Sequence, residues 1–380
     1  MKTLNDFNFK NTHVLLRTDL NSTIISGKVQ DSERIKEAAI TINELKRKKA
    51  KIIILAHQGQ PGENDFTSLR QHAKLLNKYA KVKFVQDIIG KRAKKAIQEL
   101  KSGEALLLDN IRFVKDEFRP AKESNKLIAT LAPLANIYVN DAFSVCHRNQ
   151  VSLVSFPKYL PSCIGRLLEK ELNALKKINL KSKNTLYILG GAKPEDNIKL
   201  LNKAKNNVLV TGTFAPLCII ASGKNLGLQN KIMKDKLYLV KKIKPELNKI
   251  IIPVDLAINV NNKRVNVKIN NFPSNYKILD IGDKTIELYS NKIKKARALC
   301  MKGPAGNYSK KPFAKGTIAL LRAIANSRAL SLIGGGHLND AISKYKINKK
   351  RFGYISLSGG ALLSYIAGEK LPGLVALGIK

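Results

Sequence analysis

Between residues 164 and 178 the apolar positions Ile164, Leu167, Leu168, Leu172, Leu175 and Ile178 recur every three or four residues. That spacing places them on one face of a helix. Pro157 and Pro161 precede the run and the Lys-rich stretch 179–184 follows it, so the helix is punctuated at both ends. On its N-terminal side, short apolar runs at 14–19, 51–56, 82–85, 105–109 and 136–141 read as strands. Amphipathic patterns at 34–48, 68–79, 91–100 and 124–134 read as the helices between them. Strict alternation of strand and helix predicts a parallel, doubly wound sheet.

The second half repeats the alternation. Strands are expected at the start of 185–196, at 208–212 and at 251–255, and three further apolar strands open the segments 297–307, 329–342 and 354–366. Each of those three runs into a glycine turn and then a helix. The Asn- and Lys-rich stretch 259–284 reads only as short strands or a polar excursion. The expected class is α/β, with two doubly wound parallel-sheet (Rossmann-like) domains facing a cleft and joined by the central helix. The boundaries are 1–163, the helix 164–178, and 179–366, with a tail 367–380.

At 380 residues two domains are also what length alone suggests. No apolar run approaches the roughly 18 residues of a membrane span, and the first residues carry no apolar signal region, so a cytosolic protein is expected. The four cysteines, Cys146, Cys163, Cys218 and Cys300, lie far apart and form no CxxC pair, which reads as reduced core thiols. Cys146 beside His147 is no thiol catalyst, because adjacent side chains point apart. The net charge of +40, from 68 Lys plus Arg against 28 acidic residues, is spread along the chain without aromatic interleaving. That pattern fits a solvated lysine surface, and nucleic acid is not expected as a partner.

In parallel sheets ligands bind beyond the carboxyl ends of the strands. The residues just past the first-half strands are Asp19 and Asn21, His57, Arg112, and His147 with Arg148, and Arg34 opens the first helix. Guanidiniums, an imidazole and an Asp/Asn pair suit a small molecule bearing phosphate, carboxylate and hydroxyl groups. The glycine turns of the second half suit phosphates approached by backbone N–H groups. No Walker A, H-R-D or D-F-G pattern and no strand-linked GxGxxG is present, which excludes P-loop, protein-kinase and dinucleotide readings.

The segments LLRTDLN, ERI at 33–35, AHQGQPG, LLLDNIRF, VNDAFSVCHR, LLEKEL, GGAK, IIPVD, KGPAG, KGTIAL, GGGH and LPGLVAL follow one another along the whole chain. Their order and spacing resemble the phosphoglycerate kinase family, and GGGH and the compact length resemble its archaeal branch. The resemblance implies a cytosolic phosphotransferase of glycolysis and gluconeogenesis. It would move a phosphoryl group between 1,3-bisphosphoglycerate and ADP, giving 3-phosphoglycerate and ATP, with Mg²⁺ held mainly by the nucleotide's phosphates. A monomer is expected, with a dimer as the alternative.

By the same resemblance the N-terminal domain binds the glycerate and the C-terminal domain the nucleotide, with the tail crossing back to the first. Asp19, Asn21, Arg34, His57, Gln60, Arg112 and Arg148 would contact the glycerate. Gly190, Gly191, Lys193, Gly303, Gly334, Gly335, Gly336 and His337 would contact the nucleotide. Arg34 and Lys193 would supply charge to the transferred phosphoryl, and no metal ligand is expected from the protein. Phosphoryl transfer needs alignment and positive charge more than covalent participation, so hinge closure that expels water is also implied.

Several positions depart from the family pattern. Gln60 stands where Arg usually follows His-x-Gly, a loss of about 1.5–3 kcal/mol if a charged hydrogen bond goes with it. Lys302 replaces the Asn before Gly-Pro, Asn197 replaces a second lysine, Ser309 falls near the usual ribose-contacting Glu, and His337 stands in place of an Asp. Leu357 and Ser358 replace a Thr and a Gly. Two alternatives therefore stay open on the sequence: a catalytically weakened binding or regulatory relative, associated with nucleic acid, and a kinase for another small molecule.

Overall fold

A computed structural model of the chain describes residues 1–120, 124–178, 185–205 and 207–379. By internal packing it divides into two compact units, Met1–Asn173 with Glu369–Lys380, and Ala174–Gly368.

The sheet of the first unit runs Lys83–Phe84, Ala105–Leu107, Lys51–Leu55, His13–Thr18, Ile137–Asp141, Ser162–Ile164, and every neighbouring pair is parallel. Its strands are apolar on both faces, as a sheet covered on both sides requires. Val14, Leu16, Ile52, Ile54 and Val139 pack with Ile35, Ala38, Ile42 and Leu45 of the helix Glu33–Arg47. The alternate residues Leu15, Ile53, Leu55, Leu106 and Tyr138 pack with Ile97 and Leu131 from helices on the other face. Period-two alternation thus assigns each residue its layer.

The second unit has the sheet Ile250–Ile251, Val208–Val210, Thr185–Leu189, Ala298–Lys302, Leu330–Gly334, Tyr354–Ser356, again all parallel. Beside it lies an antiparallel sheet of Lys263–Lys268, Asp255–Val260 and Ile278–Ile281, which resolves the unplaced 259–284 stretch. The strand expected at 251–255 is corrected here. Pro253 lacks the N–H that a ladder needs, and the segment splits into an edge strand ending at Ile251 and a new strand starting at Asp255. Several helices are shorter than their apolar patterns: 68–79 contains Arg70–Leu76, and 124–134 contains Lys126–Leu131 followed by a 3₁₀ turn.

The central helix needs a similar correction. It spans Arg166–Lys177, and Ile164 belongs to the edge strand Ser162–Ile164. Gly165 makes the change of direction, where an added Cβ would strike the Asp141 side chain. Asp141, at the end of its strand, accepts the Leu168 N–H at 3.1 Å, and Thr41 Oγ1 accepts the Arg166 N–H at 3.0 Å. Both satisfy first-turn donors that have no partner within the helix. Arg166 clamps the same end through two bonds to Glu44, at 2.7 and 2.6 Å, and one to Glu169 at 2.7 Å. The stretch 179–184, expected to punctuate the other end, lies outside the described residues. Among the described residues no helix is long and apolar enough to cross a membrane, and the four cysteines are free and buried.

Burial pushes the Asp141 carboxyl up to about 7, against the hydrogen bonds that favour its charged form. The folded state therefore holds a proton that the unfolded chain releases near pH 4, and the stability Asp141 contributes falls as pH rises from about 4 to 7. In Asp141→Asn that part of the fall disappears. Urea unfolding at pH 4.5 and 7.5 should show a difference between the two pH values smaller than the parent's, by up to a few kcal/mol.

Candidate functional site

In both parallel sheets the strand order reverses beside the first strand of the unit, and that is where an open α/β sheet leaves a crevice at its carboxyl edge. In the first unit this edge is cationic. Asp19 follows His13–Thr18 directly. Its Oδ1 accepts the Asn21 N–H at 2.9 Å, and its Oδ2 accepts from Ser144 and lies 3.3 Å from Arg34 Nη1. Arg34 also donates to the Asn21 carbonyl at 2.9 Å, and Asn21 Oδ1 accepts the Gly59 N–H at 2.8 Å. Asp19, Asn21, Arg34 and the 57–60 loop are therefore one hydrogen-bonded assembly.

His57, at the end of Lys51–Leu55, is buried and within 3.1 Å of Arg17 Nη2 through Nδ1. Burial, and then the charges of Arg17, Arg112, Arg34 and Arg148, push its pKa well below the usual histidine value. The ring is neutral at pH 7. Arg17 can only donate, so Nδ1 accepts and the ring proton sits on Nε2. Arg112 is almost fully buried and donates to the Gly59 carbonyl. Its Nε and Nη2, and Nε of Arg148, have no hydrogen-bond partner among the described residues. Burial lowers both guanidiniums, Arg112 to about 10, but leaves them charged at neutral pH. Buried donors without acceptors are costly, and an incoming carboxylate or phosphate removes that cost. Gln60 is exposed.

Residues not anticipated from the sequence hold this assembly in place. Arg17 lies inside an apolar strand, fully buried, with Nε donating to Ser152 Oγ at 2.9 Å. Ser152 in turn gives its N–H and Oγ–H to the buried carboxylate of Glu117, at 2.9 and 2.6 Å. Gln58 accepts from Ser22 and contacts His72 Nε2 at 2.9 Å, while Asn110 donates to the Gln58 carbonyl. An arginine within VLLRT was the one visible signal for this network.

In the second unit the corresponding edge is built of glycine. Gly190 follows Thr185–Leu189 and Gly303 follows Ala298–Lys302, and the two turns meet backbone to backbone. A Cβ on Gly303 would lie 2.5 Å from the Gly190 carbonyl oxygen, and Gly303 has φ +75. The Gly190 and Gly191 N–H groups are spent inside this contact, on the Lys302 and Pro304 carbonyls at 2.7 and 2.9 Å. They shape the edge and offer no donor to a phosphate. Gly334 ends its strand, Gly335 turns with φ +106, and Gly336 and His337 open the helix Gly336–Lys344. A Cβ on Gly335 or Gly336 would meet nothing within 4 Å. Lys193 is exposed at the N-cap of the helix Pro194–Lys203. A cavity of about 370 Å³ opens beside Gly191 and Gly212, walled by Pro216, Leu256, Ile278 and Tyr308, with His337 at its rim. Its size and lining suit a flat aromatic group with polar ends.

Two open parallel sheets, one with an arginine-lined carboxyl edge and one with a glycine-lined edge beside an apolar cavity, define an α/β protein of the phosphate- and nucleotide-handling class. The comparisons narrow this. The family model described as phosphoglycerate kinase matches residues 4–369. A phosphoglycerate kinase of Methanopyrus kandleri is 39% identical over 395 residues, covering 99% of this chain and 97% of the relative. The crystal structure of the phosphoglycerate kinase from Pyrococcus horikoshii superposes with a TM-score of 0.93 at 38% identity, covering 100% of this chain and 98% of that one. The enzyme from Coxiella burnetii gives 0.81 at 30% identity, covering 99% and 98%. The chain belongs to the phosphoglycerate kinase family.

Replacing Arg112 by Met should separate ligand binding from stability. The variant loses about tenfold or more in affinity for inorganic phosphate, the scale of one charged hydrogen bond. Its melting temperature without ligand stays equal or rises, since a buried charge is removed. Thermal unfolding with and without phosphate measures both.

Proposed function

We propose that this chain catalyses reversible phosphoryl transfer between 1,3-bisphosphoglycerate and ADP, giving 3-phosphoglycerate and ATP. The observation that carries the reading is the convergence of Arg17, Arg34, Arg112 and Arg148 around the neutral His57 at the first unit's switch point. That site suits a small, doubly anionic three-carbon acid. Arg112 and Arg148 take its phosphate, with their open donors satisfied by phosphoryl oxygens. His57 donates Nε2–H, while Asp19 and Asn21 accept its hydroxyl and fix its orientation. Arg34, tied to Asp19, presents charge to the acyl phosphate end.

The second unit takes the nucleotide. The base enters the apolar cavity, the phosphates run along the glycine edge, and Gly335, Gly336 and His337 offer first-turn N–H groups of their helix to them. Lys193 meets the transferred phosphoryl. The donors here are lysine and backbone N–H, and no group of three or more His, Cys, Asp or Glu able to hold a metal occurs among the described residues. Mg²⁺ would be held by the nucleotide's own phosphates and would supply charge neutralisation to the transferred group. Domain 1–163 with its tail then serves as the glycerate half, 164–178 as the link and 179–366 as the nucleotide half. The chemistry requires acyl phosphate and ADP to meet in line with water excluded, because water would hydrolyse the acyl phosphate.

A coupled assay of ATP formation from 1,3-bisphosphoglycerate and ADP tests the proposal directly: folded protein without turnover would sink it. Arg34→Ala and Lys193→Ala should each remove about 10³-fold or more of kcat, the scale of losing a group that stabilises transition-state charge. Gln60→Arg should lower KM for 3-phosphoglycerate about tenfold by adding one charged contact, and an unchanged KM would remove Gln60 from the site.

A further inference from the structure

Lys302 ends the strand at the middle of the second unit's sheet, between Thr185–Leu189 and Leu330–Gly334. The register pairs it with Leu189 on one side and Gly334 on the other, so it stands level with the start of both glycine turns. Its carbonyl accepts the Gly190 N–H at 2.7 Å, which fixes its backbone against the first turn. Its side chain is only 15% exposed, and Nζ lies 3.1 Å from Asp196 Oδ2 in the first turn of Pro194–Lys203. That helix carries Lys193 at its N-cap.

A lysine in this place is under-compensated. Burial pulls its ammonium below the usual lysine range, and the neighbouring Lys193 adds to the effect while Asp196 opposes it. Asp196 is 40% exposed, and an ion pair so open to solvent gains little. Lys193 therefore adds its charge to that of Lys302 at one strand edge, and the carboxylate paired with Lys302 is partly solvated. The next polar side chain on the helix does not relieve them: Asn197 is fully buried and turned inward, donating Nδ2–H to the Gly190 carbonyl at 3.0 Å. The strand edge is also where the Gly190, Gly212 and Gly303 turns clear a path by close backbone packing. A multiply charged anion laid along that path supplies the missing negative charge.

We propose that Lys302 is a phosphate-binding residue of the nucleotide site, paired with Asp196 at rest and turning its Nζ to the phosphate beyond the α position when a nucleoside di- or triphosphate binds. It acts with Lys193, so that two lysines from adjacent elements grip the phosphoryl group that is passed. This rests on the reading of the second unit as the nucleotide-binding half.

The test is calorimetric titration of the full chain with ADP and with AMP, both with Mg²⁺, on the parent, Lys302→Met, Lys302→Arg, and Lys294→Met as an exposed lysine elsewhere in the same unit. Lys302→Met should weaken ADP about tenfold, the scale of one charged hydrogen bond, and leave AMP unchanged. Lys302→Arg should retain most of the ADP affinity and Lys294→Met all of it. Equal weakening of ADP and AMP means general damage to the unit and overturns the proposal, as does an unaltered ADP affinity in Lys302→Met. A parent that binds ADP while Lys302→Met binds it equally well leaves the nucleotide reading standing. A parent that binds neither nucleotide removes that reading together with the proposal.

Discussion

A guanidinium sealed inside a parallel sheet is the constraint on which the first unit's site depends. Arg17 has no exposure to solvent, and a buried charge is tolerated only when hydrogen bonds and counter-charge surround it. Those come from elements far apart in the chain: Ser152 and, through it, Glu117. The arrangement orders the 3₁₀ turn at Lys115–Phe118 and the short helix Val151–Val154 against the strand. It also directs Nη2 at His57, fixing which ring nitrogen faces outward. Burial, and then the surrounding arginines, keep that imidazole neutral, so it donates a hydrogen bond without changing charge across the physiological range.

The second unit meets the same problem, admitting a polyanion at a sheet edge, by the opposite means. Its edge is made by removing side chains, so that the Gly190, Gly212 and Gly303 turns approach one another closely through their backbones. The cations nearest that edge are lysines, Lys193 at a helix N-cap and Lys302 at the end of the central strand. An arginine cage suits a small acid whose charges lie close together. A glycine edge with two lysines suits a long polyphosphate whose far end must remain free to react. Both edges pay for function with donors or charges that are incompletely matched in the free protein.

Much of the fold was legible because parallel strands covered on both faces must be apolar throughout, and helices between them must be amphipathic. Alternating Val14/Leu16 and Leu15/Arg17 could be assigned to two layers from pattern alone. Boundaries were less legible where backbone hydrogen bonding overrides apolarity. Pro253 cut one expected strand, and the edge strand Ser162–Ile164 took the first residue of the central helix pattern. The antiparallel sheet at 255–281 carries polar residues on its exposed face, so its strands lacked the apolar run by which the others were found.

The sequence by itself determined the family, the parallel α/β class and the set of charged residues past the strand ends, because motif order and strand–helix rhythm are local properties. Only the tertiary structure decided what those residues do to one another. Arg17 became the residue that sets the His57 tautomer, since a lone arginine in an apolar strand shows no partner until Ser152 and Glu117 are folded against it. The Gly190 and Gly191 N–H groups bond within the protein, because only the fold brings the carbonyls of Lys302 and Pro304 onto them. Lys302 and Lys193, more than a hundred residues apart, share one strand edge because parallel pairing sets Lys302 beside Leu189, and charge repulsion acts through space with no trace in the sequence between them.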